Sequence, residues 1–220
     1  ISVFLNDGTG AFGAAPDSTR TTANSDYADV VLADYNRDGV LDVVVGEKDG
    51  GGVRRLTGRL GSASGALAAG TQTVVIPNTL QHMTVADVNG DGFMDVVHTD
   101  KDSDAVNLSL GNGTFFTAPQ VDVTAGAEPQ DVVAVDLNRD GFPDAVVVDV
   151  GVDNYESYSS DGRAAPNLSA ATVAGTAPGL AKTGAQGIAV GDWNGDGKSD
   201  VVIAHSDNDG IVVRLGDGTL

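Results

Sequence analysis

Apolar positions in this chain come in short, β-branched runs, each interrupted by a polar bend of nearly constant form. The runs "ADVVLA" (28–33), "HMTVA" (82–86), "DVVAV" (131–135) and "GIAVG" (187–191) each lead into a bend. "VVVG" (43–46), "VVHT" (96–99), "AVVV" (145–148) and "VVIA" (201–204) follow it. Runs this short and this rich in valine predict strands rather than helices. No stretch carries a sustained apolar stripe at helical spacing.

The bends are "DYNRDGVLD" (34–42), "DVNGDGFMD" (87–95), "DLNRDGFPD" (136–144) and "DWNGDGKSD" (192–200). Their starts are 53, 49 and 56 residues apart. A second signal recurs in the same period, a strand followed by a Gly-rich turn: "ISVFLNDGTGAFGAAP" (1–16), "AVNLSLGNGTFFTAP" (105–119) and "IVVRLGDGTL" (211–220). "DG" and "NG" between apolar stretches are hairpin signals. Each repeat therefore reads as strand A, polar bend, strand B, strand C, Gly hairpin, strand D. A four-stranded antiparallel unit repeating at about 50 residues predicts a propeller blade. The hairpins of the second repeat ("RLTGRLGSASGALAAG") and the fourth ("YSSDGRAAP") are degenerate copies.

The pairing of D-x-N-x-D-G-x-x-D with "FGAAP" (12–16) and "FFTAP" (115–119) resembles the FG-GAP/VCBS repeat family. That family includes the calcium-binding propeller of integrin α-subunits and many bacterial surface proteins. The resemblance runs over essentially the whole chain and implies a seven-bladed ring, of which 220 residues supply about four blades at this period. The expected fold class is all-β, a propeller of four-stranded antiparallel blades that is part of a larger one. The expected division is a single propeller region, 1–220. Within it, 1–25 are strands C and D of a preceding blade. Blades follow at 26–80, 81–128 and 129–183, and 184–220 are strands A to C of the last. With strand C present at both ends, closure is expected to need more chain or a second chain.

The bends have the composition of a calcium loop. Ca²⁺ takes six to eight hard oxygen ligands, and a short loop supplies them when alternate residues turn inward. The expected side-chain ligands are Asp34, Asn36, Asp38 and Asp42; Asp87, Asn89, Asp91 and Asp95; Asp136, Asn138, Asp140 and Asp144; and Asp192, Asn194, Asp196 and Asp200. The expected backbone-carbonyl ligands are Val40, Phe93, Phe142 and Lys198, where side-chain identity is expected to be free. The glycine at the sixth position supplies the sharp bend, as in an EF-hand loop. An EF-hand would place Glu at position twelve, where this chain has Val45, His98, Val147 and Ile203. Mg²⁺ fits less well because it demands a strict octahedron and dehydrates reluctantly. One copy alone could be an Asx turn; four in register argue for about four structural Ca²⁺ ions.

Charge points the same way. Lys and Arg number 12 against 31 Asp and Glu, a net charge of −19, which argues against a nucleic-acid partner. Gly is 30 of 220, in keeping with many tight turns. There is no Cys, which excludes disulfides and Cys-ligated zinc. No apolar run is long enough to span a membrane as a helix.

Other motifs fail on context. "GTGAFG" (8–13) lies in a hairpin, "GKS" (197–199) lacks the upstream Gly of a phosphate loop, and "GSASG" (61–65) has Ala63 where a nucleophile would stand. His82, His98 and His205 stand alone near strands. Arg54, Arg55 and Arg59 form a basic cluster, read as a solvated strand edge or a dock for an acidic glycan. Asn107, Asn112 and Asn167 begin glycosylation sequons. At the second position of the bends, Tyr35, Val88, Leu137 and Trp193 are expected to pack between blades; Trp193 is the alternative candidate for an exposed sugar platform.

The expected function is a non-enzymatic binding, adhesion or scaffold module, extracellular or at the cell surface, with a protein or carbohydrate ligand. Millimolar external calcium would keep such loops filled. The alternatives are the propeller part of a secreted polysaccharide-acting enzyme and a subunit of a surface layer or filament, as a homo-oligomer. No catalytic set is expected.

Overall fold

In a computed structural model, the described residues are 1–19, 26–68, 71–77, 79–118, 121–150, 155–162, 168–173, 184–206 and 210–219. Among them every regular element is a strand. Strands β1 (Ser2–Val3) and β2 (Ser18–Thr19) form a two-stranded sheet. A four-stranded sheet follows: β3 (Asp26–Ala33), β4 (Asp42–Lys48), β5 (Arg54–Arg59) and β6 (Thr71–Ile76). The next four are β7 (Leu80–Ala86), β8 (Asp95–Asp100), β9 (Ala105–Ser109) and β10 (Val121–Thr124). Then come β11 (Pro129–Val135), β12 (Asp144–Asp149), β13 (Tyr155–Ser159) and β14 (Ser169–Val173). The last sheet has β15 (Ala185–Gly191), β16 (Asp200–His205) and β17 (Gly210–Arg214). Every pairing is antiparallel between strands consecutive in sequence. The all-β class and the strand–bend–strand order follow the sequence pattern. Asn167, Pro119, residues 163–166 of the fourth repeat's hairpin and Leu220 lie outside the described residues.

The period-2 pleat explains how one sheet meets the next. Successive side chains on a strand point to opposite faces. In the second strand of each sheet, the second residue after the start faces the sheet that follows. Val44, Val97 and Val146 hold that position and enter three successive apolar clusters. The first and third residues after the start face the sheet that precedes. Val96 lies in the first cluster, Ala145 and Val147 in the second, and Val201 and Ile203 in the third. Each interface is therefore made of one "following" and one "preceding" face. The first strands lie side by side, β3 against β7, β7 against β11 and β11 against β15.

Aspartate side chains tie two pairs of those first strands together, β3 to β7 and β11 to β15. Each carries a register irregularity at the same place, before Asp29, Met83, Asp131 and Gly187. There Asp29 accepts the Met83 N–H at 2.7 Å and Asp131 accepts the Ile188 N–H at 3.0 Å, each across to the next sheet. His82 stands between the two carboxylates, its Nδ1 at 3.6 Å from Asp29 and 3.5 Å from Asp131. The first interface is filled by Tyr35, Phe115 and Phe116, with ring centroids 5.6–6.3 Å apart. Gly58 makes room for them: a Cβ there would lie 2.4 Å from the Phe115 ring.

Exposed large apolar side chains are concentrated at the two outer faces. Val30 and Leu32 of β3, each 54% exposed, occupy the repeat positions of Met83 and Val85 in β7, which pack on the sheet before them. At the other end Ile211 and Val213 of β17 match Val106 and Leu108 of β9, which are buried. A broad apolar cavity of about 1120 Å³ opens against β3 and β4, lined by Phe4, Leu5, Tyr27, Val30 and Leu41 among others.

His98 is fully enclosed in β8, and neither ring nitrogen has a partner among the described residues. Burial pushes its pKa down to about 4 from the usual 6.5. The unfolded chain takes up the proton first, so stability present above pH 6.5 drains away as pH falls toward 4. The equivalent positions in the other sheets hold Val45, Val147 and Ile203. His98→Val is expected to remove that component, worth up to about 3 kcal/mol. Urea unfolding at pH 7 and pH 4.5 checks this: the variant should lose less stability than the native chain between the two.

Candidate cation-binding loops and their neighbours

Each polar bend joins the first two strands of its sheet, and all four adopt the same hydrogen-bond pattern. In the first, Asp34 accepts the N–H groups of Asp38 at 3.1 Å and Gly39 at 2.8 Å. Asn36 accepts from Asp38 N–H at 2.9 Å and donates its amide to the Asp38 carboxylate, whose other oxygen accepts the Val40 N–H. The same bonds recur around Asp87, Asn89 and Asp91, around Asp136, Asn138 and Asp140, and around Asp192, Asn194 and Asp196. At the exposed Asp196, the Lys198 N–H holds the carboxyl below its ordinary range.

The ninth residue behaves differently from the rest. Asp42, Asp95, Asp144 and Asp200 are fully buried. One oxygen accepts the N–H of the loop's second residue: Tyr35 at 3.1 Å, Val88 at 2.9 Å, Leu137 at 3.1 Å and Trp193 at 2.8 Å. The other accepts an N–H just beyond the third strand: Gly61 at 2.8 Å, Gly111 at 2.7 Å, Ser160 at 3.1 Å and Gly216 at 2.8 Å. One carboxylate thus fastens the bend to the third strand of its own sheet. Glycine suits three of those acceptor-facing places, since a Cβ would lie 2.1 Å, 2.5 Å and 2.2 Å from the carbonyls of Leu41, Met94 and Ser199. Burial pushes Asp95 up to about 6 against the lowering effect of its two N–H bonds, and the charges of Asp91 and Asp87 push it further. Asp42 and Asp144 are raised for the same first reason.

The structure thus gathers the expected side-chain ligands of each copy into one bend, at its surface except for the ninth residue and Asn89, which are buried. The carboxylates are held by N–H donors rather than by one another. Among the described residues no three His, Cys, Asp or Glu side chains meet closely enough to hold a metal ion. The fit to Ca²⁺ lies in donor type: carboxylate, amide and carbonyl oxygens, with lone pairs beyond those the N–H groups use.

Two positions carry roles that the sequence pattern did not express. The fourth residue has positive φ in every copy: Arg37 (61°), Gly90 (68°), Arg139 (64°) and Gly195 (77°). Such a backbone is uncommon for Arg, and both arginines reach the next loop. Arg37 donates to the carbonyls of Gly92 at 2.7 Å and Asp91 at 3.1 Å, and Arg139 donates to Gly197. The side chain of the seventh residue is not free either. Phe93 lies under the Arg37 guanidinium, 4.0 Å from its carbon to the ring centre. Phe142 packs on Gly90 and Gly162 so closely that a Cβ at either would overlap it. Alternation of Arg and Gly at the fourth position was the available signal.

The second residues divide by their neighbours. Tyr35 and Val88 are buried between sheets and Leu137 is half-buried in the third interface, while Trp193, on the uncovered face, is 71% exposed. The basic cluster is not an open patch: Arg55 pairs with Asp49, Arg54 with Asp102 at 3.5 Å, and Arg59 is buried. Asn107 is buried too, whereas Asn112 is exposed in its turn.

With this geometry in place, residues 1–45 and 87–147 match the model of the FG-GAP-like repeat. Those segments contain three of the four loops complete, and they are FG-GAP-like repeats. Among solved structures, the chain resembles a lectin of Agrocybe aegerita described as recognising non-reducing terminal N-acetylglucosamine. That likeness has 20% identity and a TM-score of 0.62, and covers 98% of this chain and 60% of the lectin. This chain therefore spans about three fifths of the length of that protein. The biofilm matrix protein Bap1 of V. cholerae aligns at 18% identity with a TM-score of 0.45, over 91% of this chain and 32% of its own. No curated protein matches the sequence. Among the described residues there is no helix long and apolar enough to cross a membrane.

Because Asp95 serves two enclosed N–H groups, Asp95→Ala leaves both without a partner. The expected loss is about 3 kcal/mol with calcium chelated. Asp91→Ala, at the exposed fifth position, should cost under about 1 kcal/mol under the same conditions. Denaturant titration of the two variants in EGTA provides the comparison.

Proposed function

We propose that this chain is a calcium-stabilised β-propeller segment of a secreted or cell-surface protein, serving as a binding module for a carbohydrate or protein ligand rather than as an enzyme. The observation that carries the reading is the fourfold recurrence of one loop, with the same acidic and amide residues in the same hydrogen-bond pattern. Asp34, Asn36, Asp38 and the Val40 carbonyl, with Asp42 behind them, would hold the ion in the first loop. The equivalent residues would do so in the others. Bound Ca²⁺ would supply charge compensation for carboxylates that crowd one bend, and a fixed loop conformation.

The directional stacking of sheets, first strand against first strand, supports a propeller arrangement. The apolar faces at β3 and β17 support further sheets of the same kind on both sides, and so a larger ring. The lectin likeness supports a carbohydrate ligand. A glycan ending in N-acetylglucosamine is the first ligand to try.

Two measurements test this. The thermal midpoint should rise on adding millimolar Ca²⁺ to EGTA-treated protein, since each site filled a hundredfold above its Kd adds about 2.7 kcal/mol; equal midpoints would sink the calcium reading. A glycan array read with and without Ca²⁺ should show calcium-dependent retention of terminal N-acetylglucosamine; a blank array would remove the carbohydrate reading.

A further inference from the structure

Arg37 and Arg139 stand at the fourth position of the first and third loops, between the expected ligands at positions three and five. Both hold a left-handed backbone that favours glycine, and both send their guanidinium out of their own repeat. Arg37 binds the carbonyls of Asp91 and Gly92, the fifth and sixth residues of the second loop, and covers the ring of Phe93, the seventh. Arg139 binds the carbonyl of Gly197, the sixth residue of the fourth loop. The backbone that each arginine grips lies between the expected ligands at positions five and seven of the neighbouring loop. The second loop has Gly90 at its own fourth position, and Phe142 of the third loop packs against it.

We propose that Arg37 and Arg139 couple the loops in two pairs, first with second and third with fourth, so that ordering one loop of a pair orders its neighbour. This rests on the calcium reading for its ligand, but the coupling belongs to the protein's own residues. A cation in the first loop fixes the backbone at Arg37, whose side chain then fixes residues 91–93. The second cation meets a loop already ordered and loses less conformational entropy on binding. By reciprocity the second ion helps the first by the same factor. Close approach is built in, for a Cβ on Gly92 would lie 1.7 Å from the Arg37 guanidinium.

Arg37→Gly and Arg139→Gly are the test variants, because glycine is what the other two loops carry at that position and it accepts the left-handed backbone without strain. Amide hydrogen exchange in metal-free protein reads the coupling directly. Arg37→Gly should speed exchange of Gly92 and Phe93 by about fivefold or more while leaving Gly197 and Lys198 unchanged, and Arg139→Gly should do the reverse. Calorimetric titration with Ca²⁺ alone reads it a second time. Asp38→Asn, which cripples the first loop, should weaken Ca²⁺ uptake at the second by about fivefold in the native background and not in the Arg37→Gly background. Unchanged exchange at residues 92 and 93 in Arg37→Gly overturns the proposal and leaves the calcium reading standing. A native chain that takes up no Ca²⁺ overturns both.

Discussion

The buried aspartate at the end of each polar bend is the interaction on which the rest of the molecule depends. A carboxylate enclosed in protein is costly unless its oxygens are satisfied. Here each is satisfied twice, by an N–H of the bend it closes and by an N–H beyond the third strand of the same sheet. It therefore fixes the bend relative to three strands at once. The bend's short conformation, the start of the second strand and the tight Gly-containing turn after the third all follow from that one attachment. The surface carboxylates of the bend are then arranged by the local backbone, which supplies their N–H donors.

Packing between sheets follows a second constraint, the alternation of the pleat. In β4, β8 and β12 the residues on one face meet the next sheet and those on the other meet the previous one. Each sheet therefore spends both faces on neighbours, and neither alternating set is left for solvent in the interior of the stack. This is why the second strands are almost continuously buried, as in "DAVVVD" of β12, instead of reading apolar and polar by turns. Titratable groups are placed with care in this setting. Glu47, Asp100, Asp149 and His205 share one repeat position, all enclosed. Thr57 donates to Glu47, and the N–H groups of Asp102 and Ser103 donate to Asp100. Burial, with Glu156 and Asp104 nearby, pushes Asp149 up to about 7.

Much of this was legible in the residues. Val-rich runs on either side of "DYNRDGVLD" and its copies gave the first two strands of every sheet, and the Gly turns gave the third. The bend itself was legible as a collection of hard oxygen donors at alternate positions. The double attachment of Asp42 and its equivalents was not, because its second partner sits 16 to 19 residues away and is a backbone N–H, which no side-chain pattern records. The role of Arg37 was hidden for a related reason: its acceptors are carbonyls of another repeat. Phe93 and Phe142 were read as free because a carbonyl ligand makes no demand on its own side chain, but their rings have neighbours in the adjoining loop. Trp193, expected between blades like its equivalents, is exposed instead, because among the described residues no sheet lies on the following face of its loop.

The one-way character of the sheet faces has a consequence for how such a protein changes over generations. Because every unit offers the same kind of surface on its forward side and accepts it on its rear side, duplicating one unit inside the row creates two junctions of a type already present. No new complementarity has to be invented, and the hydrogen-bonded anchor of each unit lies wholly within it. Length can therefore drift by whole units while sequence drifts freely at the hairpins, as the unlike third-to-fourth-strand connections of this chain illustrate.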